Sequence, residues 1–304
     1  MQFISIGDSL HFARMYFMQI RSCLFLFILF FAALGYSEPT TEPYRWLEMQ
    51  DKTYHAERAL GERIAVPNGY QRVHVNPGSF AEWLRGLPLQ PKAKPLQLYN
   101  GKIWRIQAAH HAKIDIEIGN KDLLQCADII MRFWSEYLYG KEAYNAIQFH
   151  FANGERIDFA KWRNGHRLRV VSNKVQWYPS ASADASYASY LNYMEWIYRY
   201  AGTISMAKDM VKLSPEEKTE IGTVFLNPGS HAVIVVDKAV HKETGEPIFL
   251  FAQGMMPAME IHVVKNLMDP DLSPWYGKQE NGFLLPYDFR FKKGSRYRYQ
   301  RPPK

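Results

Sequence analysis

Two residues able to do nucleophilic chemistry stand where a fold could join them: Cys126, in "DLLQCADII", and His231, at the head of "HAVIVVD". A thiolate is the attacking species in acyl transfer, and its pKa falls near a helix N-terminus or a protonated imidazole. A Cys on an early helical turn facing a strand-borne His therefore supplies a nucleophile and a general base. A third polar group must orient the ring. If the loop after the His strand runs from Lys238 to Glu246, with Pro247 marking where pairing cannot begin, constant-sum register sets Gln253 opposite His231. An oxyanion would be held by backbone N–H groups at the helix start with a side-chain amide, Asn120 or Gln125. Plain structural alternatives stand beside each role. Cys126 can be an inert buried hydrophobe, His231 a strand-end or capping residue, and Asn120 a turn or cap residue. With Asn120 as N-cap, Cys126 lies too far along the helix to feel much of its dipole, whereas a cap at Asp122 with Gln125 at the third position brings it closer.

The elements that must position these residues are legible as patterns. "NKDLLQCADIIMRFWSEYLYG" has the apolar spacing of an amphipathic helix closed by Gly140, with Cys126 one position off the core-facing stripe. "SFAEWLRGL" begins with Ser79 and Glu82 in capping-box spacing and predicts a short helix. The same "NPGS" precedes both Phe80 and His231, so the tetrapeptide is turn chemistry. "AKIDIEIG" alternates strictly and predicts a half-buried strand. Strand-like pieces follow ("AIQFHFANG", "HRLRVVSNKVQWY"), then an aromatic helix "YASYLNYMEWIYRYAG". Three C-terminal strands come last: "TVFLN", "HAVIVVD" and "IFLFAQ", the final pair joined by "HKETGEP". Helices followed by strands argue for an α+β fold around an antiparallel sheet.

The chain has 304 residues, a formal net charge of +7 and two cysteines. Residues 1–37 have the form of a signal peptide: Arg21, an apolar run from Cys23 to Leu34, then the small residues Gly35 and Ser37. The run is shorter than the roughly 18 to 20 residues of a spanning helix, and no second one follows, so no transmembrane span is expected after removal of the signal. The expectation is an exported protein, periplasmic or secreted. Cleavage removes Cys23 and leaves Cys126 as the mature chain's one thiol, without a resolving partner for redox chemistry. Residues 38–51 are expected as a linker, and 52–304 as one α+β domain with a basic tail from about 290.

Other signals point to chemistry less directly. His110 and His111 with Asp115 and Glu117 suggest a metal, yet adjacent histidines on a strand face opposite ways, and no metal or other cofactor is expected. The tail "FRFKKGSRYRYQRPPK" could hold an anionic envelope polymer or simply be solvated; no nucleic-acid partner is expected of an exported protein. Phe159 and Trp162 could form a saccharide-stacking surface as substrate contacts, and core packing explains them equally well.

Through "IEIGNKDLLQCAD", "YAGT", "NPGSHAVIVVD", "AQGMMPAMEIHVVKN" and "SPWY" the chain resembles, over nearly its whole mature length, the bacterial exported family catalogued as domain of unknown function 4846. That family carries no established activity; it usually has Pro-Gly between the turn and the His, which is missing here. More distantly, the order of Cys-helix and then "IGTVFLNPGSHAVIVVD" is similar to the papain-like cell-wall hydrolases of the NlpC and CHAP kind. That resemblance implies a papain-like core with a central α/β insertion, since more than a hundred residues separate Cys126 from His231. It also implies Cys126 as nucleophile, His231 as general base and Gln253 as orienting group, while Thr223 stands where those hydrolases carry Asp. The expected function is an exported cysteine hydrolase acting on an amide bond of a peptide or cell-wall fragment. The alternative is a non-catalytic envelope-binding protein on the same scaffold.

Overall fold

The computed structural model describes residues 43–91, 94–277 and 282–300; the expected signal peptide lies outside them. The helices are α1 (Arg45–Met49), α2 (Leu60–Arg63), α3 (Phe80–Arg85), α4 (Cys126–Gly140), α5 (Phe159–Arg163), α6 (Tyr187–Tyr200) and α7 (Thr203–Asp209). The strands are β1 (Tyr70–Arg72), β2 (His110–Lys113), β3 (Gln148–His150), β4 (Arg156–Asp158), β5 (His166–Val171), β6 (Lys174–Pro179), β7 (Met210–Lys212) and β8 (Val224–Leu226). They continue with β9 (Ala232–His241), β10 (Pro247–Gln253), β11 (His262–Val264), β12 (Tyr276–Gly277), β13 (Phe283–Leu285), β14 (Phe289–Phe291) and β15 (Arg296–Tyr299). Nine of these form one sheet in the order β2-β11-β10-β9-β8-β15-β7, with β1 beside β9 and β12 beside β10. Every pairing in it is antiparallel. The fold is α+β, a large antiparallel sheet with few helices.

The sheet's two faces bury different partners. Ala232, Ile234, Val236, Leu250 and Ala252 join the main core with Ile129, Ile130 and Phe133 of α4. On the other face Val233, Val235, Phe249 and Phe251 pack under the β13–β14 hairpin, against Phe283, Leu285 and Phe291. This two-sided burial explains the continuous apolar run of β9 where a half-exposed strand would alternate.

Helix α4 is shorter than the apolar pattern predicts. Gln125 takes the N-cap position with extended backbone, and Asp128 accepts the Gln125 N–H at 3.0 Å, so Leu123 and Leu124 precede the helix and Cys126 is its first residue. The expected cap at Ser79 is present, its hydroxyl accepting the Glu82 N–H at 3.2 Å. "AKIDIEIG" pairs only through its start. Lys113 faces His262, Ile114 bridges Leu89, and the chain then leaves the sheet.

Part of the expected linker and part of the expected tail belong to the fold. Residues 43–51, expected as linker, hold α1. Tyr44, Trp46 and Leu47 are buried, with the Tyr44 hydroxyl donating to Trp83 O at 2.8 Å and Trp46 Nε1 to Asp115 O at 2.6 Å. The expected basic tail holds β15, inserted between β8 and β7. Arg296 is buried and donates through Nη2 to Ser214 O at 2.8 Å, so part of the tail's charge serves packing rather than solvent or polymer. Residues 301–304 of the tail lie outside the described residues.

Candidate active site at the start of helix α4

Strand β9 sets the phase of the site by a bulge. From Pro247↔Val240 to Leu250↔Asp237 the paired indices keep one sum; at Phe251↔Val235 the register shifts by one because Val236 is the extra residue. Continuing the first register would set Gln253 opposite Ile234, on the face away from His231. The bulge instead brings Gln253 opposite Val233, a diagonal neighbour of His231 on the same face. The expected direct pairing of positions 231 and 253 is therefore replaced by a diagonal one, and the side chains still meet: His231 Nε2 lies 3.0 Å from Gln253 Oε1.

An amide oxygen only accepts, so His231 must donate from Nε2, and its neutral ring then carries an unprotonated Nδ1. Phe289 stacks on the ring with centroids 3.9 Å apart and planes at 18°. His231 is 2% exposed, and burial pushes its pKa down to about 4 against a smaller opposing effect of the Gln253 bond. The ring is neutral through the neutral pH range. A base of this pKa is available above about pH 4 and is lost as pH falls through it.

Cys126, at the start of α4, meets the strand at the next residue. Its thiol lies against the backbone N–H of Ala232, the residue after His231, and against the N–H groups of Ala127 and Cys126 itself. Burial raises the thiol pKa first and Asp128 second, while these three N–H groups favour the thiolate. The helix start approaches β10 closely. A Cβ on Gly254 would lie 2.9 Å from Ile129 Cγ2 and 3.4 Å from Gln125 O, so glycine lets the segment after Gln253 pass the end of α4. No hydrogen bond between the thiol and the imidazole occurs among the described residues, and both groups rest neutral.

The remaining predicted residues divide. Gln125 adjoins Cys126, but its side-chain amide donates to Asp122 Oδ1 at 3.0 Å. Asp122 is therefore a brace rather than the cap, and it also accepts the Ala258 N–H at 2.7 Å. Asn120 is exposed, just after the turn at Gly119, where φ is 71°. Phe159 is wholly buried, and Trp162 is buried with its Nε1 donating to Ser189 Oγ at 3.2 Å and the Arg167 guanidinium 4.3 Å above its ring. Neither offers a free face for stacking, because both complete the core between α5 and α6; Trp162 only contributes to the wall of an open cavity of about 580 Å³ beside Lys121, Glu195 and Trp196. Among the described residues no group of three or more His, Cys, Asp or Glu side chains is placed to hold a metal ion. No described helix is long and apolar enough to cross a membrane.

Two residues that sequence reasoning did not reach complete the site. His262 pairs with Gln253 across β10 and β11, its Nε2 3.1 Å from Gln253 Nε2. The β10–β11 pairing keeps a constant sum through "MEIHVV", so His262 is within reach of register counting from Gln253. Phe289 follows two residues with positive φ, Tyr287 at 68° and Asp288 at 61°, and nothing local marks it.

The chain is thus an α+β protein in which Cys126, His231 and Gln253 are buried near the start of α4. The chain belongs to the family described as domain of unknown function 4846, whose model matches residues 60–298. Comparison with curated proteins and with solved structures finds no match.

Proposed function

We propose that the protein is an exported cysteine hydrolase with a papain-like core that cleaves an amide bond of a peptide or cell-wall fragment. One observation carries the reading: the His231–Gln253 bond leaves Nδ1 as the unprotonated nitrogen of a ring one peptide from the residue that meets the Cys126 thiol. In the proposed reaction Cys126 Sγ adds to the amide carbonyl carbon as its proton passes to His231 Nδ1. The tetrahedral oxyanion is held by N–H groups at the start of α4, where the helix dipole also favours negative charge. Collapse breaks the C–N bond, and Nδ1 returns the proton to the leaving amine. A water molecule, deprotonated by Nδ1, then hydrolyses the thioester, releasing the acid and the thiol. Because both groups rest neutral, the proton moves during attack rather than before it, and the chemistry needs no cofactor.

A second reading, a non-catalytic envelope-binding protein, is favoured by the burial of the site: Cys126 is 9% exposed, and Phe289 covers the imidazole. The two readings separate on purified protein incubated with peptides and cell-wall fragments, with new amines detected by mass spectrometry. The hydrolase reading expects products from the wild type and their loss, by about 10²-fold or more, in Cys126→Ala. Equal products from both proteins would overturn it, and binding without products from either would favour the second reading.

A further inference from the structure

We propose that His262 is a positioning residue of this site: it decides which end of the Gln253 amide faces His231 and so sets the imidazole tautomer. The functional consequence rests on the hydrolase reading; the geometry does not. A carboxamide has one accepting and one donating end of nearly equal shape, and an imidazole nitrogen can meet either, so His231 and Gln253 alone leave the orientation undetermined. The third member resolves it.

His262 Nδ1 lies 3.0 Å from the backbone oxygen of Glu260, which only accepts, so Nδ1 carries the proton. The ring is wholly buried, and burial pushes its pKa down to about 4, keeping it neutral. In a neutral ring with Nδ1 protonated, Nε2 is a bare acceptor. It faces Gln253 at 3.1 Å, so Gln253 must present its NH2 end to His262 and its oxygen to His231. His231 then donates from Nε2, and Nδ1 is left free. A main-chain carbonyl thus fixes the tautomer of a histidine two side chains away.

The groups around His262 are consistent with neutrality. His110 of β2 meets it edge-on with centroids 6.2 Å apart, and His231 lies beyond the amide. The Glu260 carboxylate is turned to Lys113, whose Nζ lies 3.0 Å from Oε2, rather than to the ring. Among the described residues no charged side chain hydrogen-bonds the His262 ring, which meets the Gln253 amide and the edge of His110.

The test is long-range ¹H–¹⁵N correlation of the histidine rings in the purified protein, near pH 7. The wild type is expected to show His231 protonated at Nε2 and His262 at Nδ1. Either ring in the opposite tautomer overturns the proposal, whatever the activity. His262→Phe removes the acceptor and frees the amide to turn, so a population of His231 protonated at Nδ1 should appear. His262→Gln keeps an accepting oxygen and should preserve the wild-type tautomer. Iodoacetamide alkylation of Cys126 at pH 6 should fall about 10²-fold in His262→Phe, recover in His262→Gln, and show no further loss from His262→Phe in a Gln253→Leu background. A loss of the same size in that background would make His262 merely structural. If the tautomers are as expected while wild-type Cys126 is inert, the hydrolase reading fails and the positioning role of His262 in the fold stands.

Discussion

Replacing His231 by alanine is expected to slow alkylation of Cys126 by iodoacetamide at pH 6 by about 10²-fold or more. Burial and the nearby Asp128 hold the thiol above its ordinary pKa, so an isolated Cys126 has almost no thiolate at pH 6. Reactivity at that pH must come from a base, and the unprotonated Nδ1 of His231 is the one that the Gln253 bond leaves free. Removing the ring also strips a partner from buried Gln253, a loss of about 1–3 kcal/mol, so the alanine variant could lose reactivity through instability alone. His231→Gln controls for this. It can still bond the Gln253 amide but offers no base, and it should be as unreactive as the alanine variant while keeping native near-UV circular dichroism. A folded His231→Gln protein that alkylates at the wild-type rate would show that the ring does not act on the sulfur.

Asp237→Ala is expected to destabilise the protein by about 3–5 kcal/mol in urea unfolding, the cost typical of breaking a buried ion pair by removing one partner. The Asp237 side chain is wholly buried just after the β9 bulge and accepts three hydrogen bonds. Arg72 Nε donates to Oδ2 at 2.7 Å, Arg85 Nε to Oδ1 at 2.8 Å, and the Lys238 N–H to Oδ1 at 2.8 Å. Arg72 belongs to β1 and Arg85 to α3, so one carboxylate joins a strand and a helix to the bulged turn of β9. Its loss leaves two largely buried guanidinium groups without their counter-charge. Since the bulge sets Gln253 and His231 on one face, Asp237→Ala should also lower Cys126 reactivity at pH 6, whereas Asp237→Asn, which keeps an accepting oxygen, should fall between. A change below about 1 kcal/mol would mean that both arginines regain water when the carboxylate goes.

The parts of the fold that could be read from sequence are those whose determinants are local. The Ser79 cap, the aromatic helix α6 and the strands β8, β9 and β10 follow from spacing and turn residues within each segment. The contact between Gln253 and His231 was reachable by counting register, although a one-residue bulge that no local pattern announces makes it diagonal. What could not be read depends on distant partners. Tyr44 and Trp46 lie in a polar stretch, yet their fate is set by Trp83 and Asp115. Arg296 lies in a basic tail and is buried because the carbonyls of Ser214, Pro215 and Glu217 receive its guanidinium. The start of α4 was blurred for a related reason: Leu123 and Leu124 continue the apolar period, and only the bond from Asp128 back to Gln125 makes Cys126 the first helical residue. Phe159 and Trp162 show the converse, since aromatics beside polar residues look the same in sequence whether they face a ligand or a core.

That Cys126 and His231 work as one unit is tested by the pH dependence of Cys126 alkylation by iodoacetamide in the wild-type protein, which requires no knowledge of the substrate. Reactivity should rise as His231 loses its proton near pH 4, hold through neutrality, and climb again only where the raised thiol ionises by itself. A single rise above pH 9, with an inert thiol below it, would mean that His231 does not act on the sulfur and that Cys126 is a buried structural residue at the head of α4.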